Sequence, residues 1–310
     1  MKSIITLMAT LLLTAGFCGA AGAPAKIPII LDTDIGTDID DAFALALIIN
    51  SPEFELLGVT TVSGDTAARA RIAAKMLWEA GGKWRQVPVV AGAPGSKQDI
   101  NQAPWADGYT SPHILNESAV DFMRGQIQRR PGQITIIAIG ELTNVAALIK
   151  VYPIVATKIK RIALMGGSIA RGYEPGSQPD AEWNIKSNAT AAQVVFSSGI
   201  PIIMAPLDVT AMLQLDAAGR SRIFDQNTPI TNSLAALYHL WKGETPTLFD
   251  PMAVALVLDP TLCLTKDLAI EVDENGYTHI INKKPANAAV GLSTNPAKFF
   301  EFYLSRVAGR

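Results

Sequence analysis

Short apolar runs alternate with longer amphipathic stretches along most of the chain. The runs are rich in β-branched residues and are typical of buried strands; they lie at 26–31, 54–62, 87–91, 134–139, 161–165 and 201–205. Between them, apolar residues recur at helical spacing and predict helices over 41–49, 66–80, 118–128, 142–150 and 189–198. This alternation predicts an α/β fold with an open, mainly parallel sheet that carries helices on both faces.

The pattern changes toward the C-terminus. The segment 268–281, LAIEVDENGYTHII, alternates around an Asn-Gly pair, which predicts a hairpin. A last helix is predicted over about 296–307, with Thr294 or Asn295 as its cap. Residues 92–117 show neither periodicity and are predicted to form a long irregular loop.

Residues 1–22 have the pattern of a secretory signal peptide. Lys2 supplies the positive start, 4–17 form the apolar core, and small residues follow. Because that core is too short for a comfortable membrane span, we expect a secreted or periplasmic protein with no membrane attachment after signal removal. A lipoprotein anchored through Cys18 is less favoured, since the bulky Phe17 stands where a small residue is expected.

Composition narrows the class of protein. The sequence has 310 residues, is 49% hydrophobic and carries a formal net charge of -2, which argues against a disordered or strongly charged chain. No basic block is present in the sequence, so nothing indicates binding to nucleic acid or to an acidic membrane. The sequence shows no internal repeat and no linker, so 23–310 are predicted to form a single domain.

A concentration of carboxylates follows the first predicted strand. Five aspartates lie within the segment DTDIGTDIDD: Asp32, Asp34, Asp38, Asp40 and Asp41. Ligands of open parallel sheets gather beyond the carboxyl ends of strands, whereas a helix N-terminus offsets only about 0.3–1 kcal/mol of repulsion per acid. The segment therefore predicts a hard divalent cation, Ca²⁺ or Mg²⁺. The plainer alternative is a helix cap with solvated loop acids.

A strand that ends in D-x-D also resembles the haloacid-dehalogenase-like phosphatases, in which the first Asp is a nucleophile. Those enzymes carry Thr or Val two residues after the second Asp, where this sequence has Gly36. They also need a lysine near a later acidic pair, and the sequence places none convincingly. The phosphatase interpretation is therefore disfavoured.

The acidic segment is more similar to the N-terminal motif of the inosine-uridine preferring nucleoside hydrolase family, a strand followed by D-x-D-x-G-x-D-D and an apolar helix. Here the motif is two residues longer, so either Asp40 or Asp38 can match the first of the paired acids. Further segments resemble the family in the same order: GVTTVSGD (58–65), IGELTNVA (139–146), LMGG (164–167), AEWNI (181–185), PLDVT (206–210) and FDPMAVAL (249–256). The similarity spans residues 27–310.

The resemblance implies a nucleoside hydrolase fold with a Rossmann-like core, and hydrolysis of the N-glycosidic bond of a small-molecule nucleoside. It also implies Ca²⁺ as cofactor and a homodimer or homotetramer. Cleavage of this bond passes through an oxocarbenium-like ribosyl cation, which nearby carboxylates stabilise. A Ca²⁺-bound water can attack once a neighbouring carboxylate removes its proton.

By resemblance, four positions are expected to hold the metal: Asp34, Asp41, the main-chain oxygen of Ile139, and Asp250. Asp40 matches the general base and a substrate contact, with Asp38 as the alternative base because of the insertion. Asp32 is expected to support the cluster from its strand end. Asp250 precedes Pro251, so it is also a candidate helix cap.

Three further positions are expected to bind ribose. Glu182 matches the ligand of the 5′-hydroxyl, and Asn184 matches the ligand of the ring diol and of the developing charge. Taken alone, either could be a solvated loop residue. Asp65 stands where many members carry Asn for the 2′-hydroxyl; a carboxylate accepts a hydrogen bond there but cannot donate one. Asn144 is expected to brace a loop.

Phe249 occupies a position where many pyrimidine-accepting members have the His that protonates the departing base. Some purine-preferring relatives lack this His and stack aromatic rings on the base; the candidates here are Phe249, Trp183, Tyr238 and Trp241. His239, within the predicted helix 232–243, is a candidate replacement acid, and His113 is a weaker one. A purine preference is therefore expected.

Two other functions stay open at this point. One is a hydrolase with the same ribose pocket that acts on another N-ribosyl compound. The other is a Ca²⁺-dependent nucleoside- or ribose-binding protein without turnover, since the usual acid is missing.

Overall fold

The computed structural model describes residues 25–95 and 98–309. The predicted signal peptide and Cys18 lie outside the described residues. The strands are β1 (Ile27–Thr33), β2 (Phe54–Thr61), β3 (Val89–Ala91), β4 (Ile114–Leu115), β5 (Thr135–Ala138), β6 (Arg161–Met165), β7 (Ile202–Ala205), β8 (Cys263–Leu268), β9 (Ile270–Val272), β10 (Thr278–Ile280) and β11 (Ala288–Thr294).

Helices connect most of these strands. They are α1 (Asp40–Ile49), α2 (Thr66–Ala80), α3 (Ala119–Arg129), α4 (Thr143–Val151), α5 (Pro153–Ala156), α6 (Trp183–Ser187), α7 (Ala189–Phe196), α8 (Leu207–Thr210), α9 (Ala217–Phe224), α10 (Pro229–Trp241), α11 (Phe249–Leu258) and α12 (Pro296–Val307). Short 3₁₀ helices lie at Gly82–Gln86, Ala103–Ala106 and Pro260–Leu262.

Nine of the strands form one sheet in the order β4-β3-β2-β1-β5-β6-β7-β11-β8. Neighbouring strands are parallel except for the pair β11 and β8. The strands β9 and β10 form a separate antiparallel hairpin. The predicted α/β fold with an open, mainly parallel sheet is confirmed.

The strand β1 runs through the middle of the sheet and contributes to the core on both of its faces. Ile29 and Leu31 belong to one hydrophobic core and Ile30 to the other, and all three are fully buried. The first core contains residues of α1, α2, α11 and α12, and the second contains residues of α3, α4 and α7. Because helices cover both faces, a central strand is apolar at every position instead of alternating.

The helix α1 is buried from Asp40 to Ile48. It packs against α11 as well as against the sheet, which explains why its sequence, DDAFALALII, has no polar face. No side chain caps its N-terminus at Ile39. The two aspartates of its first turn are therefore removed from water together with the apolar residues that follow.

Several details of the predicted pattern change in the structure. The prediction that 92–117 is irregular throughout was wrong, because a 3₁₀ helix and β4 lie within it; a two-residue edge strand is too short to show a periodicity. The strand β8 was missed because four of its six residues are exposed and β11 was missed as well. The hairpin is confirmed, and its turn contains Gly276 at φ 85°.

Across residues 25–95 and 98–309, no helix has both the length and the hydrophobicity that a bilayer span requires.

Asn295 is the cap of α12, one of the two predicted candidates. Its side-chain oxygen accepts hydrogen bonds from the main-chain N–H groups of Ala297 (3.0 Å) and Lys298 (3.4 Å).

Asn295→Ala is therefore expected to lower the free energy of unfolding by about 1 kcal/mol, measured by urea denaturation. The matched control is Asn232→Ala, at an exposed position inside α10, which is expected to leave stability unchanged or slightly higher. Equal losses in both variants would contradict the capping role.

Candidate active site

A cavity of about 340 Å³ lies at the carboxyl ends of β1, β5 and β6, within the usual size range of small-molecule sites. Its acidic lining consists of Asp34, Asp38, Asp40, Asp41, Glu182 and Asp250. The rest of the lining includes Ile139, Met165, Tyr173, Trp183, Asn184 and Phe249. Segments from distant parts of the sequence thus meet in one cavity, and most of the predicted site residues are among them.

Three carboxylates converge inside this cavity and are called here the acidic triplet: Asp40, Asp41 and Asp250. One oxygen of each lies within 4.8 Å of an oxygen of both others. Asp40 and Asp41 come from the first turn of α1, and Asp250 comes from the first turn of α11. The main-chain N–H of Asp250 donates to Oδ2 of Asp40 at 3.2 Å, and the Thr33 hydroxyl donates to Oδ1 of Asp41.

The surroundings of the acidic triplet oppose its ionisation. Burial is the largest cause that raises the pKa of Asp40, Asp41 and Asp250 well above its ordinary value, and repulsion among the carboxylates adds to it. None of the three forms an ion pair with a described basic residue. A set of buried oxygen donors without a cationic side chain fits a hard divalent metal ion.

Asp34 and Ile139 line the cavity next to the acidic triplet without being part of it. Burial raises the pKa of Asp34 to about 6, although the charge of Arg69 acts in the opposite direction. Gly140 allows the Asp34 carboxylate to approach, because a Cβ there would lie 2.8 Å from Oδ1. The main-chain oxygen of Ile139 accepts a hydrogen bond from the Asn184 side chain at 3.2 Å. Asp34 and Ile139 are thus placed where additional metal ligands are expected.

Arg69 supports the loop between β1 and α1, and sequence analysis did not identify it. Its side chain is fully buried, and its guanidinium donates to the main-chain oxygens of Asp34, of Ile35 at 3.1 Å and of Ser63 at 2.8 Å, and to the Gln98 side chain at 2.7 Å. It therefore orients the loop through the backbone, and its charge lowers the pKa of nearby carboxylates. An arginine among alanines in an amphipathic helix gives no indication in the sequence that it is buried.

Glu182 and Asn184 are buried in the cavity lining, so the interpretation of them as solvated loop residues is wrong. The Glu182 carboxylate accepts hydrogen bonds from the main-chain N–H groups of Gly167 (2.9 Å), Asn184 (2.9 Å) and Ile185 (3.2 Å), and it thereby caps α6. Burial raises the pKa of Glu182 to about 7 despite these donors. The Asn184 side chain donates to the main-chain oxygens of Ile139 and Met165, both at 3.2 Å.

Asp32 lies behind the cavity at the end of β1. Its Oδ1 accepts hydrogen bonds from the Thr60 hydroxyl (2.6 Å) and the Asn144 side chain (2.8 Å), while its Oδ2 has no partner within the described residues. Burial raises the pKa of Asp32 to about 7. Asn144 also donates to the main-chain oxygen of Thr61 at 3.0 Å, so both residues join neighbouring strand ends beneath the site.

Two aspartates of the predicted site occupy different local positions from those expected. Asp250 is not the cap of α11, because the cap is Leu248 and Asp250 lies inside the first turn. Asp38 belongs to the inserted turn and is exposed at the cavity, where the Gln102 side chain holds that turn by donating to the main-chain oxygens of Thr37 (3.2 Å) and Asp38 (2.8 Å). The insertion therefore places Asp38 nearer solvent than Asp40.

Two other candidates lie away from the described cavity lining. Asp65 is exposed and caps α2, since its carboxylate accepts a hydrogen bond from the Ala68 N–H at 2.9 Å. His239 is exposed on α10, where its ring packs edge-on against Tyr238 at 5.8 Å. The ribose-binding role of Asp65 and the acid role of His239 are therefore not supported by their positions, because each side chain contacts its own helix rather than the cavity.

The aromatic part of the cavity differs from the predicted wall. Phe249 and Trp183 line it as expected, whereas Tyr238 and Trp241 are absent from its described lining and pack against each other at 6.0 Å. Tyr173 takes part instead, edge-on to Phe249 with ring centroids 5.9 Å apart. Tyr173 comes from the irregular loop after β6, where no periodicity in the sequence could have indicated it.

The chain is similar to known proteins over most of its length. Residues 29–301 match the model of the family described as inosine-uridine preferring nucleoside hydrolase. The pyrimidine-specific ribonucleoside hydrolase RihA of Salmonella paratyphi B is 32% identical over 91% of this chain and 98% of its own length.

Solved structures show the same fold. A purine-preferring ribonucleoside hydrolase from Gardnerella vaginalis superimposes with a TM-score of 0.76 at 27% identity, over 91% of this chain and 98% of that chain. A plant nucleoside hydrolase superimposes with a TM-score of 0.80 at 23% identity, over 93% of this chain and 100% of that chain. From the family match, the sequence relatives and the shared fold, we conclude that this chain belongs to the inosine-uridine preferring nucleoside hydrolase family and is an N-glycosyl hydrolase.

Proposed function

We propose that the protein hydrolyses ribonucleosides to free base and ribose, that it uses Ca²⁺ held by the acidic triplet and its neighbours, and that it prefers purine nucleosides. The observation that carries this proposal is the acidic triplet, whose buried oxygens lie within 4.8 Å of one another in a cavity that Glu182 and Asn184 also line. Such an arrangement can hold a cation and a sugar side by side.

The metal ligands in this proposal are Asp34, Asp41, Asp250 and the main-chain oxygen of Ile139. Carboxylate and carbonyl oxygens are the donors that Ca²⁺ prefers, and its flexible coordination suits ligands from four separate segments. When bound there, Ca²⁺ would hold a water beside the sugar diol and lower the pKa of that water.

Asp40 is the proposed general base. It belongs to the acidic triplet, while its alternative Asp38 is exposed at the cavity, and a base is most effective when it lies within hydrogen-bond reach of the proton that it removes. Burial and the neighbouring carboxylates raise the pKa of Asp40, and a cation beside it counteracts that rise. These features support matching Asp40, rather than Asp38, to the first of the paired acids.

Glu182 and Asn184 are proposed to orient the ribose. The buried Glu182 carboxylate can accept a hydrogen bond from a sugar hydroxyl, and so can the side-chain oxygen of Asn184, whose N–H groups donate to main-chain oxygens. Negative charge and oxygen dipoles around the sugar stabilise the positive charge that develops on it as the glycosidic bond breaks. The substrate is thus held where the remaining carboxylates favour its transition state.

Phe249 and Trp183 are proposed to stack on the base. Their position in the cavity supports a purine preference, because the larger purine ring offers more area for stacking. RihA of Salmonella paratyphi B is pyrimidine-specific and the Gardnerella enzyme is purine-preferring, so the chain is similar to enzymes of both kinds. A secreted or periplasmic location and a homodimer or homotetramer stay predictions.

Asp41→Asn is expected to abolish nucleoside hydrolysis, with a loss of at least about 100-fold in kcat, since even residues that only support metal ligands contribute 10- to 100-fold. The measurement is release of reducing sugar from inosine, together with Ca²⁺ titration by calorimetry. Asp107→Asn is the matched control, because Asp107 is exposed and outside the described cavity lining. Full activity and unchanged Ca²⁺ affinity in Asp41→Asn would refute the metal site.

Saturable nucleoside binding by the wild type without sugar release would instead indicate a binding protein.

The stability of the metal-free protein is expected to depend on pH. In the metal-free protein, burial raises the pKa of Asp32 and Glu182 to about 7 and of Asp34 to about 6, so the folded state holds these protons more tightly than the unfolded chain does. Their contribution to stability is complete below about pH 4 and is lost as pH rises through about 7. Without Ca²⁺, the melting temperature should therefore fall from about pH 5 to about pH 7.5.

Added Ca²⁺ should raise the melting temperature more at the higher pH, because metal ligands must be deprotonated. Thermal scans in EDTA and in excess Ca²⁺ at both pH values measure this, and Asp41→Asn, which lacks one ligand, should show a smaller Ca²⁺ effect. A Ca²⁺-induced shift that is the same at both pH values, or absent, would count against the proposal.

Base preference is tested at Phe249. The wild type is expected to show a higher kcat/KM for inosine than for uridine. Phe249→His introduces a group that can protonate a departing base and should raise the uridine-to-inosine ratio of kcat/KM, whereas Phe249→Leu should lower both values by removing the stacking surface. Faster hydrolysis of uridine than of inosine by the wild type would show that the proposed purine preference is wrong.

A further inference from the structure

The phenol of Tyr173 lines the cavity and has a hydrogen-bond donor to spare. Its oxygen accepts a hydrogen bond from the main-chain N–H of Trp183 at 2.9 Å. A tyrosine hydroxyl can accept and also donate, yet within the described part of the chain the Tyr173 O–H donates to no acceptor. Its side chain is about one-third open, at 37% exposure, so this donor is available to a ligand.

The loop that carries Tyr173 is held by a chain of polar contacts. Asp180 accepts a hydrogen bond from the main-chain N–H of Tyr173 at 2.9 Å, and Ser168 accepts one from the N–H of Asp180 at 3.0 Å. Asp208 in turn accepts from the N–H groups of Ile169 and Ala170, each at 2.8 Å. The backbone of Tyr173 is thereby fixed at one end and its hydroxyl at the other, so the ring is oriented before a ligand arrives.

A glycine makes this arrangement possible. At Gly172 a Cβ would lie 2.3 Å from Oδ2 of Asp180 and 2.4 Å from the main-chain oxygen of Gln178. Only a residue without a side chain allows the two segments of this loop to approach each other this closely. The sequence of the loop is therefore consistent with a fixed position for Tyr173.

The ring of Tyr173 packs among the aromatic residues that are proposed to stack on the base. Tyr173 packs edge-on against Phe249 at an interplanar angle of 78°. Trp183, whose main-chain N–H donates to the Tyr173 hydroxyl, lines the same cavity. Phe249 has no proton to donate. The described lining contains no Lys, Arg or His, and His239 is exposed on α10. The Tyr173 hydroxyl is thus a neutral donor among the aromatic rings of the cavity.

We propose that Tyr173 donates a hydrogen bond to the departing base and so stabilises the negative charge that develops on it. This inference rests on the proposed function as a nucleoside hydrolase. As the glycosidic C–N bond breaks, its electron pair stays on the base, while water supplies the new C–O bond and gives its proton to the carboxylate base. The Tyr173 O–H shares its proton with the base without transferring it, and the product base takes its final proton from solvent.

Burial, together with the charge of Glu182, raises the pKa of Tyr173 above its ordinary value. The hydroxyl therefore keeps its proton across the neutral range and remains a donor. A preorganised donor aimed at developing charge typically contributes about 100-fold in rate. A donor that acts on the leaving group matters most for bases that leave poorly.

The test compares two substrates in Tyr173→Phe. Inosine has a poor leaving group, whereas para-nitrophenyl β-D-riboside releases a phenolate that spreads its own charge and needs no donor. The kcat/KM of inosine hydrolysis is expected to fall by about 100-fold, while that of the nitrophenyl riboside should stay within about threefold of the wild-type value. The control Tyr277→Phe removes the hydroxyl of a tyrosine on the β9–β10 turn, outside the described lining, and should change neither substrate.

Equal losses on both substrates would overturn the proposal, because they would show that the hydroxyl serves only to accept the hydrogen bond from the main-chain N–H of Trp183. An unchanged rate on inosine would overturn it as well. Tyr173→His keeps a ring and a donor and should retain more inosine activity than Tyr173→Phe, so its two-substrate ratio should lie closer to that of the wild type. If the Phe variant does not fold, equal losses on both substrates in Tyr173→His would overturn the proposal. If the wild type hydrolyses neither substrate, the proposed function fails; if it hydrolyses both and the Tyr173 ratio does not change, only this inference fails.

Discussion

The constraint on which the site depends is the enforced proximity of buried carboxylates. Three of them place oxygens within 4.8 Å of one another, and burial and mutual repulsion both raise their pKa values. Hydrophobic packing keeps them there, since α1 is buried along nearly its whole length between the sheet and α11. Each buried Leu, Ile or Phe contributes about 1.5–3 kcal/mol, which is enough to hold polar groups in a place that they would otherwise avoid.

The scaffold around the acidic triplet divides the cavity into two parts. One part is polar: the ends of β1, β5 and β6 and the first turns of α1 and α11 place carboxylates and main-chain oxygens there, and Glu182 lies there as the cap of α6. Aromatic residues from the loop after β6, from α6 and from α11 form the other part. The polar part is built on strand ends and helix starts, which are rigid, and the aromatic part depends partly on a loop. In the proposed function, the rigid elements hold the cation and the sugar, and the aromatic part faces the base.

Prediction from the sequence succeeded where the determining interactions are local. Six buried strands and the helices between them follow from runs of apolar residues. A strand that is buried on both faces of the sheet is apolar at successive positions, and this is visible within a few residues of sequence. The N-terminal cap of α12 and the hairpin at Gly276 follow from short motifs in the same way. The strand β8 and the two-residue strand β4 were missed, since exposure or shortness removes that pattern.

The sequence by itself determined the order of six core strands and of the main helices between them, the acidic segment at the end of the first strand, and the family to which it is similar. Only the tertiary structure decided which acids converge, that Arg69 is buried beneath them, that Asp65 turns to its own helix, and that Tyr173 rather than Tyr238 faces the cavity. The physical reason is the sequence separation of the contacts. Periodicity depends on residues within one element. The convergence of Asp40 with Asp250, which are 210 residues apart, depends instead on how whole elements pack.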